Sequence, residues 1–342
     1  MNKLSLLLLV GVVLSNVALA NNEYTKEWKK DFAVNADASF KLKSKFSDVN
    51  ITTWDQNTIS VVFLVEVDAS NESKAQKILD GISVKEVTAS ASSVSLETIL
   101  KSEKMDDVTI TYTIKMPASI RVELDNDFGS SFLASMSAPV MLDIDYGNLR
   151  AEKLEGKGSV LNLDFSNAEI DGLEEAEVNM SYSNLEIDHA GKIVLKSSFS
   201  AIEIDRATSI EAKSSYDAFE IDQIANFTLA GAFSSAEIDE VSGGLTADFE
   251  YGSLEVDNIR ASFTSVEIKA GYSSVEIGFA SDASYALNAT VKAGELDGPS
   301  GIDSKVNIGS DHMQQSLSGT VGKSPGSRTV VINLSQGSLE ID

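Results

Sequence analysis

The chain has 342 residues, 52 acidic against 27 basic, so its formal net charge is −25, and it has no cysteine. Those counts exclude a disulfide scaffold, a metal site built on thiolates and a lipid-anchored lipoprotein. The charge repels nucleic-acid phosphates and anionic lipid heads, so no nucleic acid is expected as a partner.

Residues 1–20 read as a secretory signal peptide. Lys3 precedes an apolar run from Leu4 to Leu14, and Ala18-Leu19-Ala20 supplies the small-x-small cleavage pattern. No later stretch is long and apolar enough to span a bilayer, so no transmembrane segment is expected after cleavage. Six lysines follow near the mature N-terminus, Lys26, Lys29, Lys30, Lys41, Lys43 and Lys45. They are either a solvated basic patch or a face turned to anionic envelope components.

From Phe40 the alternation Phe40, Leu42, Ser44, Phe46, Val49, Ile51 has a strand period. Further strands are expected over Thr58–Val67, Ile82–Thr88, Ser92–Ile99 and Val108–Met116. Between them, Ser70–Asp80 reads as a helix, with Ala75, Ile78 and Leu79 on one face and Gly81 as its stop signal. Residues 21–127 are therefore expected to form a β-rich N-terminal cap with one short helix near 70–80, shielding an open sheet edge.

An internal repeat governs residues 128–280. Phe165-Ser-Asn-Ala-Glu-Ile-Asp171 recurs as Tyr182-Ser-Asn-Leu-Glu-Ile-Asp188, Phe199-Ser-Ala-Ile-Glu-Ile-Asp205, Tyr216-Asp-Ala-Phe-Glu-Ile-Asp222 and Phe233-Ser-Ser-Ala-Glu-Ile-Asp239, with a further copy at Tyr251. From Phe128 the aromatic recurs at spacings of 18, 19, 17, 17, 17, 17, 18 and 21 residues. Period-two alternation flanks a small corner in each copy, giving strand, corner, strand and loop. One such unit cannot bury its apolar face, but a stack can. The expectation is all-β: a two-sided parallel β-solenoid of about 17-residue coils, right-handed by the crossover rule. The aromatics share the aliphatic parity, so burial in a corner is expected for them. Residues 281–342 read as loop-rich C-terminal coils, loop-like over 281–328, with a closing strand through Val330, Ile332, Leu334, Leu339 and Ile341.

The order Phe46-Ser-Asp-Val-Asn-Ile-Thr-Thr-Trp-Asp55, a strand, the helix, then Ile110-Thr-Tyr-Thr-Ile-Lys-Met-Pro117 leading into the repeats resembles the putative adhesin family, a bacterial envelope domain of unknown function. The resemblance implies a β-solenoid, an exported location in the periplasm or at the cell surface, and an adhesin-like or envelope-sensing role. The partner, an envelope or surface protein or a glycan, is not named by the sequence, nor is the oligomeric state.

The acidic pair in each repeat is the unusual chemistry. Glu186, Glu203, Glu220 and Glu237 are expected in one outward column, and Asp188, Asp205, Asp222 and Asp239 in a second. The ribbon is either a solvated face that keeps the sheet soluble or a candidate site for divalent cations such as Ca²⁺. An enzyme alternative, a polysaccharide lyase or hydrolase on a β-helix, needs two carboxylates in unlike surroundings. Identical repeats do not supply that, so no catalytic residue and no cofactor is expected. His189 and His312 are isolated, and no Gly-x-Ser-x-Gly, phosphate-loop or dinucleotide motif occurs.

Overall fold

The computed structural model describes residues 23–342 other than 102–104, 106, 300, 301 and 309–312. Residues 1–20, read from the sequence as a signal peptide, and His312 lie outside the described residues. The chain divides into two units, one ending at Gly156 and the other starting at Lys157.

In the first unit, parallel strands stack in two rows. One row runs Ser39–Lys45, Arg121–Asp127, Val140–Asp145, with Leu42, Leu124 and Leu142 in register and buried. The other contains Ser47–Thr53, Ser130–Leu133 and Asn148–Leu154, aligning Ile51, Leu133 and Ala151 inside. The intervening residues return to the far side of the first coil. There Ser93–Leu100 pairs parallel with Ser39–Lys45, and Val108–Met116 with Ser47–Thr53. Antiparallel strands finish this end: Ile82–Ser90 on one row, Thr58–Asp68 and then Glu23–Ala33 on the other. The helix spans Glu72–Asp80, with the Asn71 side chain accepting from the Lys74 N–H and with Ala75 and Leu79 buried. Lys26 Nζ donates to Leu79 O in the last turn of the helix at 2.9 Å and to Ile82 O, at the start of the next strand, at 2.8 Å. Glu23–Ala33 is a strand that its lysine-rich sequence does not advertise; it borrows its ladder partners from Thr58–Asp68.

The second unit carries the regular coils. Asn167–Ser181, Asn184–Ser198, Ala201–Ser215 and Ala218–Ala232 are each one coil, stacked parallel and bent where the ladder skips Asp171, Asp188 and Asp205. One side buries the columns Leu185, Ile202, Phe219 and Ile187, Ile204, Ile221. The other buries Ile193, Ile210, Phe227 and Leu195, Ala212, Leu229. Each fully buried Ile or Leu contributes roughly 1.5–3 kcal/mol, and no coil can bury its inner face alone. Phe263 belongs to the long coil that ends at Tyr272 and is buried, packed against Phe279 and Tyr285.

Residues 281–328, expected to be loop-like, contain the strands Tyr285–Lys292, Gly294–Asp297, Asp303–Ile308 and Gln314–Val321. In Tyr285–Lys292 buried residues alternate with exposed or half-exposed ones. The chain ends in an unexpected place. Thr329–Leu334 pairs parallel with both Ser265–Gly271 and Tyr285–Lys292, so the last coil is intercalated between two earlier ones. Gly337–Ile341 does the same between Ser273–Phe279 and Gly294–Asp297. The outermost strands, Gln314–Val321 and Asp303–Ile308, are antiparallel. At both ends, therefore, a terminal coil of the chain is covered by a parallel coil and then by antiparallel strands, which blunts the open edges.

Candidate binding surface

The aromatics overturn the expectation of burial. In the second unit Phe165, Tyr182, Phe199, Tyr216, Phe233, Tyr251 and Tyr272 are 46–55% exposed. Each has φ between 50° and 61°, the left-handed region. That one conformation breaks the alternation: the corner residue swings outward and the next one, Ser200 after Phe199, turns in. The rings then stack face to face, with centroids 4.7–5.0 Å apart and planes within 9°. Phe46, Phe128 and Tyr146 form the same kind of stack in the first unit, at 5.0–5.1 Å. A left-handed non-glycine residue costs roughly 1–2 kcal/mol, and a stacked pair returns about 0.5–1.5 kcal/mol. Stacking in a column thus offsets the strained corner. Ring edges, not faces, meet the solvent, so the column is no sugar-stacking platform.

The residue inside each corner extends the order. The Ser166 N–H donates to Ser183 Oγ at 3.0 Å and the Ser183 N–H to Ser200 Oγ at 3.2 Å. The Ser200 N–H donates to Asp217 Oδ1 at 2.9 Å, and the Asp217 N–H to Ser234 Oγ at 3.1 Å. Gly252 replaces the serine where a Cβ would stand 2.0 Å from Ser234 O. Asp217 is a buried carboxylate in a serine column, and sequence reasoning passed over it as a repeat variant. It also accepts the Ser197 and Ser214 hydroxyls, each at 2.7 Å, and the Ser215 N–H at 3.1 Å. The available signal was that Ser214 and Ser197 occupy inner positions where Met180 and Phe249 fill the equivalent column.

The carboxylates fall as the repeat implies. Glu169, Glu186, Glu203, Glu220, Glu237, Glu255 and Glu276 are in register and exposed. Asp188 is half-exposed, and Asp205, Asp222 and Asp239 are exposed, each next to the bend. Partial desolvation, then Glu186 and Glu220, push the Glu203 carboxyl above its usual range. Glu255, then partial desolvation and Glu340, do the same to Glu276. Among the described residues no cation pairs with Glu186, Glu203, Glu220 or Glu237, and no three of His, Asp or Glu converge as metal ligands. The glutamates and the small outward residues Asn184, Ala201, Ala218 and Ser235 line a groove of about 520 Å³; the small-residue column lies two positions after the ring column in each coil.

The lysines near the mature N-terminus do not form a free basic patch. Lys41, Lys43 and Lys45 lie in register with Glu123, Asp125 and Asp127 and pair with them, Lys43 at 2.6 Å and Lys45 at 2.5 Å. Lys30 pairs with Glu86 and Lys29 with Glu27, while Lys26 serves the helix end. His189 is exposed beside Arg206 in the ladder. No described helix is long and apolar enough to cross a membrane.

No protein-family profile and no curated protein matches the chain. Three solved structures are similar. A putative cell adhesion protein from Clostridium sporogenes ATCC 15579 is 12% identical over 93% of this chain and 98% of its own, with a TM-score of 0.21. A putative adhesin from Bacteroides fragilis NCTC 9343 is 12% identical over 73% and 96%, with a TM-score of 0.31. Another from Parabacteroides distasonis ATCC 8503 is 13% identical over 73% and 96%, with a TM-score of 0.32. The adhesin resemblance of the sequence recurs in these descriptions. Likeness at this level says nothing of ligand or partner.

Proposed function

We propose that the protein is an exported, non-enzymatic, adhesin-like scaffold of the bacterial envelope, which binds through surfaces repeated from coil to coil. The observation that carries this reading is the register of the outward residues. Aromatic, small residue and glutamate recur at the same offsets in successive coils, so each coil offers its neighbour's surface again. Catalysis by a carboxylate pair needs one acid and one base in unlike environments. Glu203 and Glu276 both move upward, Glu203 through partial desolvation and then Glu186 and Glu220, Glu276 through Glu255 and then partial desolvation, so these two do not supply an acid and a base pushed apart. The apolar leader supports export.

The test is fractionation of the native cell, followed by binding of the purified mature chain to isolated envelopes. Recovery outside the cytoplasm with saturable envelope binding is expected. Cytoplasmic recovery, or turnover of envelope polysaccharide lost on replacing one carboxylate, would overturn the reading.

A further inference from the structure

We propose that the outward face of the second unit that carries the aromatic, small-residue and glutamate ladders is a docking surface for a basic amphipathic helix of about 20 residues on a partner protein. The proposal rests on the scaffold reading and adds the chemistry of its partner.

The apolar component is the first observation. Seven half-exposed rings, three Phe and four Tyr, form one continuous aromatic stripe of apolar ring edges and tyrosine hydroxyls, and exposed stripes of that kind mark interaction sites. Stacking the rings has already offset their backbone strain, so the exposed edges are rigid before anything binds. The stripe is long: six spacings of 4.7–5.0 Å give about 29 Å. A 20-residue helix spans roughly 30 Å.

Width argues for a helix over a strand. Phe199 and Glu203 are four positions apart, at most about 13 Å along the coil. A helix is roughly 10–12 Å across and can touch both ladders while resting on the small residues of the floor. An extended segment lying along the stack covers one ladder and leaves the other bare.

Charge selects the sign of the partner. One wall is a row of glutamates, of which Glu186, Glu203, Glu220 and Glu237 have no cation beside them among the described residues. Lys or Arg on one flank of the helix meets that wall, and its apolar flank meets the ring edges. A second copy of this chain brings the same negative face and is repelled, since the chain carries −25.

The probe is a synthetic 20-residue Lys/Leu peptide with helical amphipathic spacing. Its controls are a scrambled peptide of equal composition and a Glu/Leu counterpart, each titrated against the full mature chain at physiological salt. The amphipathic Lys/Leu peptide is expected to bind at least tenfold tighter than the scramble, with the Glu/Leu peptide silent. The triple variant Phe199→Ser, Tyr216→Ser, Phe233→Ser is expected to lose at least tenfold. The triple variant Glu203→Gln, Glu220→Gln, Glu237→Gln relieves repulsion, keeps the fold and is expected to lose at least tenfold as well. Equal binding of the scramble, unchanged binding by the glutamine variant, or self-association that buries the ladder would each overturn the proposal. Envelope binding by a chain that ignores the peptide would sink the helix partner and leave the scaffold reading standing.

Discussion

Tyr182 and Phe199 lie face to face, centroids 4.8 Å apart and planes 3° from parallel, although both residues hold left-handed backbones. Strain and stacking are coupled there, and the coupling makes an unusual prediction. Phe199→Ala keeps the strained φ and loses two stacked neighbours, so it is expected to cost about 2 kcal/mol. Phe199→Gly loses the same rings but relaxes the backbone, and should cost about 1 kcal/mol less. Denaturant midpoints at unchanged m-value measure the order. Alanine proving the milder change would contradict it.

Asp217 is held by four donors and no cation. Asp217→Ala strands the Ser197 hydroxyl and the Ser200 and Ser215 N–H groups, leaves Ser214 with Ser234 Oγ as its partner, and is expected to cost about 1–3 kcal/mol. Asp217→Ser restores the hydroxyl that the neighbouring coils carry and should cost less. Urea unfolding of the two variants decides between this order and its reverse.

Tyr285 presents the opposite case. Its ring is buried against Phe279, and its hydroxyl has no hydrogen-bond partner among the described residues. Burial also pushes the phenol above its ordinary range. Tyr285→Phe removes an unsatisfied hydroxyl and is expected to raise Tm by a few degrees, about 1 kcal/mol. A lower Tm on thermal unfolding would mean that the hydroxyl is served.

The glutamate ladder sets the pH response. Glu203 and Glu276 bind protons more tightly in the folded chain than in the unfolded one. Their contribution is therefore fully present below the ordinary carboxylate value and lost as pH rises through the raised one. Tm at low salt should increase as pH falls from neutral toward that window. Glu177 acts against the trend, because Lys196 holds it low and its stabilisation fades on acidification. Added salt should raise Tm at neutral pH, and Glu203→Gln should flatten both responses. Calcium is expected to act as matched ionic strength does, since among the described residues no three carboxylates converge. Thermal scans across pH and salt check each of these.

The sequence made the coil legible because alternation has a period of two, and residues such as Ile187, Ile204 and Ile221 keep that phase for four residues at a time. It misled at the corner because parity counting assumes right-handed or extended backbone at every residue, and Phe199 departs from it. Lys41, Lys43 and Lys45 looked like a basic patch because their partners Glu123, Asp125 and Asp127 lie 82 residues away. The glutamate ladder was readable from the repeat itself. The groove beside it was not, since alternation places Ala201 and Ala218 outward with Glu203 and Glu220 but does not say that short side chains there leave a recess. The intercalated last coil was hidden for a different reason: Val330 and Ile332 have the coil phase, but no local pattern says between which coils they pair.

That intercalation has a dynamic consequence. Chain ends usually fray, yet Val330 and Ile332 are buried with parallel partners on both sides. Their amides are expected to exchange with solvent as slowly as those of Ile204 and Ile221. Fast exchange there would show that the last coil opens on its own.

The most direct test of the repeated binding surface is envelope affinity as a function of rungs removed. Pairs of aromatic and glutamate, such as Phe199 with Glu203 and Tyr216 with Glu220, are replaced by Ser and Gln one, two and three coils at a time, with folding checked by circular dichroism. A stepwise fall of similar size for each rung, whichever coil is chosen, is the predicted result. Complete loss from one coil with no effect from the others would show a single unique site and contradict the account.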